Sequence, residues 1–138
     1  MWVSTSSADG PDLLRSIAKE QQTAKGKFPG PVPIVMRERV VDVAQIAMAA
    51  GLGASGITLS ADALDVGELK QFLAHCSAAG IEGVVEASDR EGLGRAGEAG
   101  ATIVCVRGVS SLDEAVDLRS EIPQVMMKPI TKSCRLNF

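Results

Sequence analysis

The sequence predicts an α/β fold of four to five parallel βα units behind an N-terminal helix, and three observations predict it. Short apolar runs begin near residues 33, 56, 83, 102 and 125, a spacing of about 23 residues. That suits one strand plus one helix and is too short for the helix pairs of a solenoid. Ala49-Ala50-Gly51, Ala79-Gly80 and Ala99-Gly100 each close a helical pattern just before such a run, as glycine does at a left-handed helix stop. Four of the runs end in a polar or charged residue: Arg37, Ser60, Glu86 and Arg107. Strands this short need helices on their faces, and right-handed crossovers follow.

Residues 1–11 read as a flexible lead-in of small polar residues. Asp12 is placed to cap a helix over about 13–25, with Leu13, Leu14, Ile17 and Ala18 as its apolar stripe. Gly26 to Pro33 holds three prolines and two glycines before the first strand. It is a connector, since proline lacks the amide a helix needs. Residues 12–30 thus form a helix-and-linker segment, and residues 31–127 carry the βα units.

The first strand covers about 33–36. Its helix covers about 41–51, with Val40, Val43, Ala44, Ala47 and Met48 expected on the buried side. Gly56–Ser60 is the second strand. Asp65 caps the next helix, to about 79, where Leu69, Phe72, Leu73 and Cys76 recur at helical spacing. Residues 83–87 make the third strand, and Ser88 or Asp89 caps a helix over 90–99. Residues 102–106 are the fourth strand, and Ser111 opens a helix carrying Leu112, Ala115, Val116 and Leu118. Val125-Met126-Met127 fits a fifth strand. Residues 128–138 have no clear period and read as an extended tail.

Composition narrows the function classes. Hydrophobic residues are 46% and charged residues 22% of 138, a globular balance for one domain. A net charge of -3 leaves no basic footprint for nucleic acid. No run approaches the roughly 18 apolar residues of a membrane span. Cys76, Cys105 and Cys134 match no zinc spacing and suit reduced thiols. The expected location is a reducing compartment, cytoplasm or plastid stroma. Nothing in the residues calls for a cofactor or a metal. His75, the single histidine, sits on a helix away from the strand ends. Gly92-Leu93-Gly94-Arg95-Ala96-Gly97 lies inside a helical pattern rather than after a strand, where a phosphate loop would sit.

With these units laid out, residues 33–118 resemble indole-3-glycerol-phosphate synthase, a tryptophan-pathway TIM barrel. Pro33-Ile34-Val35-Met36-Arg37-Glu38-Arg39-Val40-Val41-Asp42-Val43-Ala44-Gln45-Ile46 is similar, without a gap, to the family's third strand and helix, P-V-L-R-K-D-F-I-I-D-x-Y-Q-I. Gly53-Ala54-Ser55 is similar to the G-A-D before strand four. Val84-Val85-Glu86-Ala87-Ser88-Asp89 resembles the L-V-E-V-H-D of strand five. Gly100 to Val109 resembles the G-A-x-I-I-G-I-N-N-R of strand six. Leu13 to Gln22 is similar to the family's leading helix. The resemblance implies an incomplete TIM barrel, strands three to six or seven of eight, because a closed (β/α)8 barrel needs roughly 200 residues or more.

The departures carry as much information. Where the family has the lysine that acts as general acid, this chain has Arg37; an arginine stays protonated and cannot cycle a proton. Arg107 replaces the asparagine that ends strand six. The first strand's Glu and Lys, the Ser-Pro-Ser segment and the Gly-rich phosphate loops have no counterpart. Of the family's active-site residues, Glu86 alone is retained.

Glu86 is therefore either an inherited catalytic carboxylate or a rim residue paired with Arg37 or Arg107. Arg37, Arg39 and Arg107 are either an anion site or solvated strand ends. Parallel strands about 4.8 Å apart would put the Cα atoms of Arg37 and Glu86 roughly 10 Å apart, within reach of their side chains. An open half-barrel would expose strand edges and an apolar inner face, here expected to include Val35, Leu59, Val85 and Val104. The expected function is a non-catalytic member of this family acting as a structural or interaction subunit, its open face covered by a protein partner or a second copy. The alternative is an active indole-3-glycerol-phosphate synthase, a carboxy-lyase, or a fragment of one.

Overall fold

A computed structural model describes residues 1–27, 30–109 and 111–120. The elements alternate along the chain: β1 Trp2–Ser4, α1 Gly10–Thr23, β2 Val35–Arg37, α2 Val43–Gly51, β3 Gly56–Ser60, α3 Val66–Ala78, β4 Glu82–Ala87, α4 Arg90–Ala99, β5 Ile103–Val106 and α5 Leu112–Ser120. All five strands are parallel in one sheet, in the order β1-β2-β3-β4-β5. Neighbours in sequence are neighbours in space, the wiring of a βα barrel opened into a partial sheet.

The N-terminal segment differs from its expected role as a flexible lead-in. Trp2-Val3-Ser4 pairs with Val35-Met36-Arg37, and the Met1 ammonium donates to the Pro33 carbonyl at 2.7 Å. Val3 is buried. The turn into α1 is tight: a Cβ on Gly10 would lie 2.4 Å from the Thr5 Cα. Three residues with one buried side chain are too few for a period-2 signal, and the free edge of β2 supplies what the local sequence lacks.

This strand changes the meaning of α1. It crosses from β1 to β2, so it is an internal crossover helix and not a leading one. Nor does Asp12 cap it; the cap position is Asp9, with Pro11 in the first turn and no side-chain cap bond. Asp12 instead pairs with Arg15 at 2.9 Å on the surface.

The other caps follow the sequence closely. Asp65 accepts from the Glu68 amide while Glu68 accepts from the Asp65 amide, a reciprocal box that starts α3. Asp89 accepts from the Gly92 amide and starts α4. Gly100 ends α4 at a φ of 80°, where a side chain would be strained.

One helix is turned differently from expectation. The buried residues of α2 are Ile46 and Ala49, with Val40 before it and Leu52 after it, whereas Val43, Ala44, Ala47 and Met48 face solvent. Nearly every residue of this helix is apolar, so periodicity cannot choose a face. Its one polar side chain, Gln45, turns back to the helix start. Its Oε1 accepts from the Val41 and Asp42 amides and its Nε2 donates to the Arg39 carbonyl. In α5, Leu118 is buried but Val116 is exposed. The expected strand at 125–127 and the tail at 128–138 lie outside the described residues.

The two faces of the sheet are unlike. Val3, Met36, Ile57, Leu59, Val85 and Ala87 belong to one continuous apolar core. That core is shared with Leu14, Ile46, Leu69, Phe72, Cys76, Leu93 and Ala96 of the helices. Leu59 and Val85 therefore face the helices rather than the open side, and Val104 also packs against this core. Since side chains alternate along a strand, the opposite face carries Trp2, Ser4, Val35, Arg37, Thr58, Ser60, Val84, Glu86, Ile103 and Cys105. Val84 is buried yet stands outside the helix-side core. Trp2 and Ile103, near the two lateral limits of the sheet, stay 50% and 42% exposed. Among the described residues no helix covers this face.

Candidate functional site at the carboxyl rim

The site grows from the ends of all five described strands. Glu86 is the penultimate residue of β4, in register with Ser60 of β3 and Cys105 of β5. Its carbonyl accepts from the Ala61 amide at 2.8 Å, and the Arg107 amide donates to the Ala87 carbonyl at 2.9 Å. These two bonds extend the ladders past the strands and fix where both side chains leave the sheet.

Glu86 is only 7% exposed. Burying a carboxylate costs several kcal/mol unless each oxygen finds a partner. Both do. Arg37 Nε, from the end of β2, lies 3.2 Å from Oε1, and Arg107 Nη1 donates to Oε2 at 2.8 Å. The sequence placed Arg37, Glu86 and Arg107 on one rim, and the sheet brings them together as a clamp of two guanidinium groups on one carboxylate. Both arginine side chains remain half-exposed, so solvent screens them and the clamp stabilises modestly. Replacing Glu86 by Gln is expected to lower unfolding stability by about 1 kcal/mol, read as a small drop in urea midpoint. A loss several times larger would mean that the clamp holds the sheet together.

Around the clamp lies a concavity of about 430 Å³, lined by Ser4, Ser6, Arg37, Glu38, Arg39, Thr58, Ser60, Ala63, Glu86 and Arg107. Glu38 is held in its wall. Buried Thr5 donates to the Glu38 Oε2 at 2.7 Å, and Thr58 lies 3.4 Å from the Glu38 carbonyl. Arg39 reaches the same concavity, and among the described residues its guanidinium has no hydrogen bond or ion pair.

The hydroxyls of Ser4, Thr5, Ser6 and Thr58 escaped the sequence reading. For the first three the signal was present: Ser4-Thr5-Ser6-Ser7 follows an apolar residue and precedes a Pro-bearing helix start, the composition of a strand end running into a helix. It is recognisable once Trp2–Ser4 is known to be a strand.

Other candidates lie elsewhere. His75 is exposed on α3. Gly92 to Gly97 lie within α4, as their pattern indicated, and Gly92 donates to Asp89 as part of the helix cap. Cys76 is buried among helix and strand side chains. Its burial, with a smaller contribution from Glu82, pushes the thiol up to about 11, so it stays neutral and unreactive near pH 7. Cys105 is half-buried beside Glu86 on the open face. Cys134 and the Met126-Met127 pair lie outside the described residues.

A parallel βα sheet with its ionic cluster at the carboxyl ends of the strands defines a class: a partial barrel of the (β/α)8 type, in which that rim is the site-bearing side. The family model described as indole-3-glycerol phosphate synthase matches residues 22–131, and the chain belongs to that family. Relatives bearing that name are moderately similar. The protein of Chlorobium limicola is 33% identical over 67% of this chain and 38% of its own length. That of Chlorobium chlorochromatii is 34% identical over 80% of this chain and 40% of its own length. That of Campylobacter concisus is 36% identical over 62% of this chain and 33% of its own length. The chain thus spans about two-fifths or less of these relatives.

The matched residues begin within α1 and take in β2 to β5, while β1 precedes them. No helix among the described residues is long and apolar enough to cross a membrane.

Proposed function

We propose that this chain is a non-catalytic indole-3-glycerol-phosphate-synthase-like protein that works as a structural or interaction subunit, with a protein partner or a second copy seated on the open face of its sheet. The observation that supports it is the clamp. Glu86, which matches an active-site carboxylate of the family, has both oxygens engaged by arginines. One of these, Arg37, stands where the family carries its proton-donating lysine. A carboxylate held this way is a structural counter-ion rather than an acid or base free to meet substrate. The open face, with Trp2 and Ile103 exposed, gives the reading its second half.

The test is the state of the purified chain in solution. Sedimentation velocity across a concentration series is expected to show self-association, and a dye for apolar surface is expected to bind until a partner is added. A stable monomer that unfolds cooperatively and binds no dye would overturn the interaction role. A second reading, a piece of an active synthase, is favoured by the limited span of the relatives' length. A longer product that restores the remaining strands and turns over the family's substrate would decide for it.

A further inference from the structure

We infer that the outward face of α2 is a docking surface for a helix of another protein, one that carries an apolar stripe and a carboxylate at the end lying over Arg39. This surface is on the outer side of the helix layer and not on the open face of the sheet. The inference therefore goes beyond the reading above and stands whether or not that open face is filled.

What the exposed side of this helix lacks is charge. A surface helix ordinarily turns a polar or charged face to water. Val43–Gly51 contains no charged residue, and its buried residues are Ile46 and Ala49. Val43, Ala44, Ala47, Met48 and Gly51 are exposed. At about 100° per residue they fill one arc of about 140°. Val41, just before the helix, is 68% exposed, the highest value of any large apolar side chain among the described residues. Single exposed apolar residues are ordinary, but a contiguous set with no charge inside it marks an interaction surface. Gln45 does not interrupt the stripe, because its side chain is turned back onto the Val41 and Asp42 amides and the Arg39 carbonyl.

Charge chooses the occupant. Arg39 and Val41 flank buried Val40, and both are exposed at the start of the stripe. The Arg39 guanidinium has no hydrogen bond or ion pair among the described residues. Asp42, the charged residue next to the helix, already accepts from the Ala44 amide as its cap. The stripe thus has one unspent positive group at one end, and a covering helix satisfies it with a carboxylate. A second copy does not. Packed on this face about a two-fold axis, parallel helices set Arg39 against Arg39. Antiparallel ones set it past Gly51, where Leu52, Gly53, Ala54 and Ser55 hold no carboxylate. Residues 121–138 do not suit it either, since Lys128, Lys132 and Arg135 stand there against Glu121 alone. An anionic membrane surface calls for a basic helix face, and α2 has none.

The experiment titrates the purified full chain into labelled synthetic helical peptides, read by fluorescence anisotropy. One peptide has an apolar stripe at helical spacing and glutamates in one terminal turn; a second has lysines in their place; a third has the first composition scrambled. Saturable binding of the glutamate peptide is expected, with the lysine peptide about tenfold weaker and the scrambled one inert. Ala47→Glu should weaken binding by about tenfold or more without moving the urea midpoint, since Ala47 is exposed. Met48→Leu, which keeps the stripe apolar, should preserve it. Arg39→Ala should abolish the preference for glutamate over lysine. Val116→Glu on α5, also exposed, should change nothing. Ile103→Ala should likewise leave peptide binding unchanged, which separates this surface from the open face. A glutamate peptide that binds no better than the scrambled one, or binding unmoved by Ala47→Glu and Arg39→Ala, would overturn the inference. So would sedimentation in which Ala47→Glu abolishes self-association, which gives the face to a second copy. Binding to anionic phospholipid vesicles that is lost in the same variant would overturn it in favour of a membrane.

Discussion

The purified chain, supplied with carboxyphenylamino-deoxyribulose phosphate, is expected to form indole-glycerol phosphate at least 10²–10⁴ times more slowly than a complete family enzyme, roughly the contribution of general-acid work alone. The reason lies at two positions. Arg37 cannot release a proton at any working pH, so the step that the family's lysine performs has no donor there. Glu86 has no free oxygen to offer as a replacement, because Oε1 and Oε2 are both engaged. Arg37→Lys is the informative companion. If only the proton donor were missing, that change would restore measurable turnover. If the clamp has replaced the active site, Arg37→Lys stays inactive. Absorbance at the indole product's wavelength checks both, and turnover close to a complete enzyme's from the unaltered chain would end the non-catalytic reading.

What was legible in the sequence was whatever local chemistry determines. The caps at Asp65 and Asp89, the stop at Gly100 and the strand at Gly56–Ser60 depend on residues within one or two turns, and they stand where their signals lie. The pairing of Arg37 with Glu86 was also legible, because a parallel sheet puts strand ends on one rim whatever the side chains between them. Two things were not. Trp2–Ser4 is a strand because β2 presents an edge to it, a cause 33 residues away. The facing of α2 and of the strands was lost for another reason: where both neighbours of a residue are apolar, alternation carries no information. Val84-Val85 shows this, since one side chain meets the helices and the other the open face. The hydroxyls of Ser4, Thr5 and Ser6 at the rim were missed as a consequence of missing β1.

The assignment of faces makes the largest stability prediction. Leu59→Ala is expected to cost about 2–5 kcal/mol in chemical denaturation, because Leu59 is fully buried between the sheet and the helices and its loss leaves a cavity there. Ile103→Ala removes a branched side chain of similar size from the opposite face, where it is 42% exposed with no helix over it. Its cost in the isolated chain should be below about 1 kcal/mol, as for other partly exposed positions. The two values separate packing within the chain from packing against something else. If the open face is where a partner or a second copy sits, Ile103→Ala should weaken association while leaving the stability of the dissociated chain almost unchanged, and Leu59→Ala should lower that stability directly. Equal losses in the dissociated chain would place Ile103 in the same core as Leu59. The sheet would then have no open face to fill, and the case for an interaction subunit would rest on the arginine clamp alone.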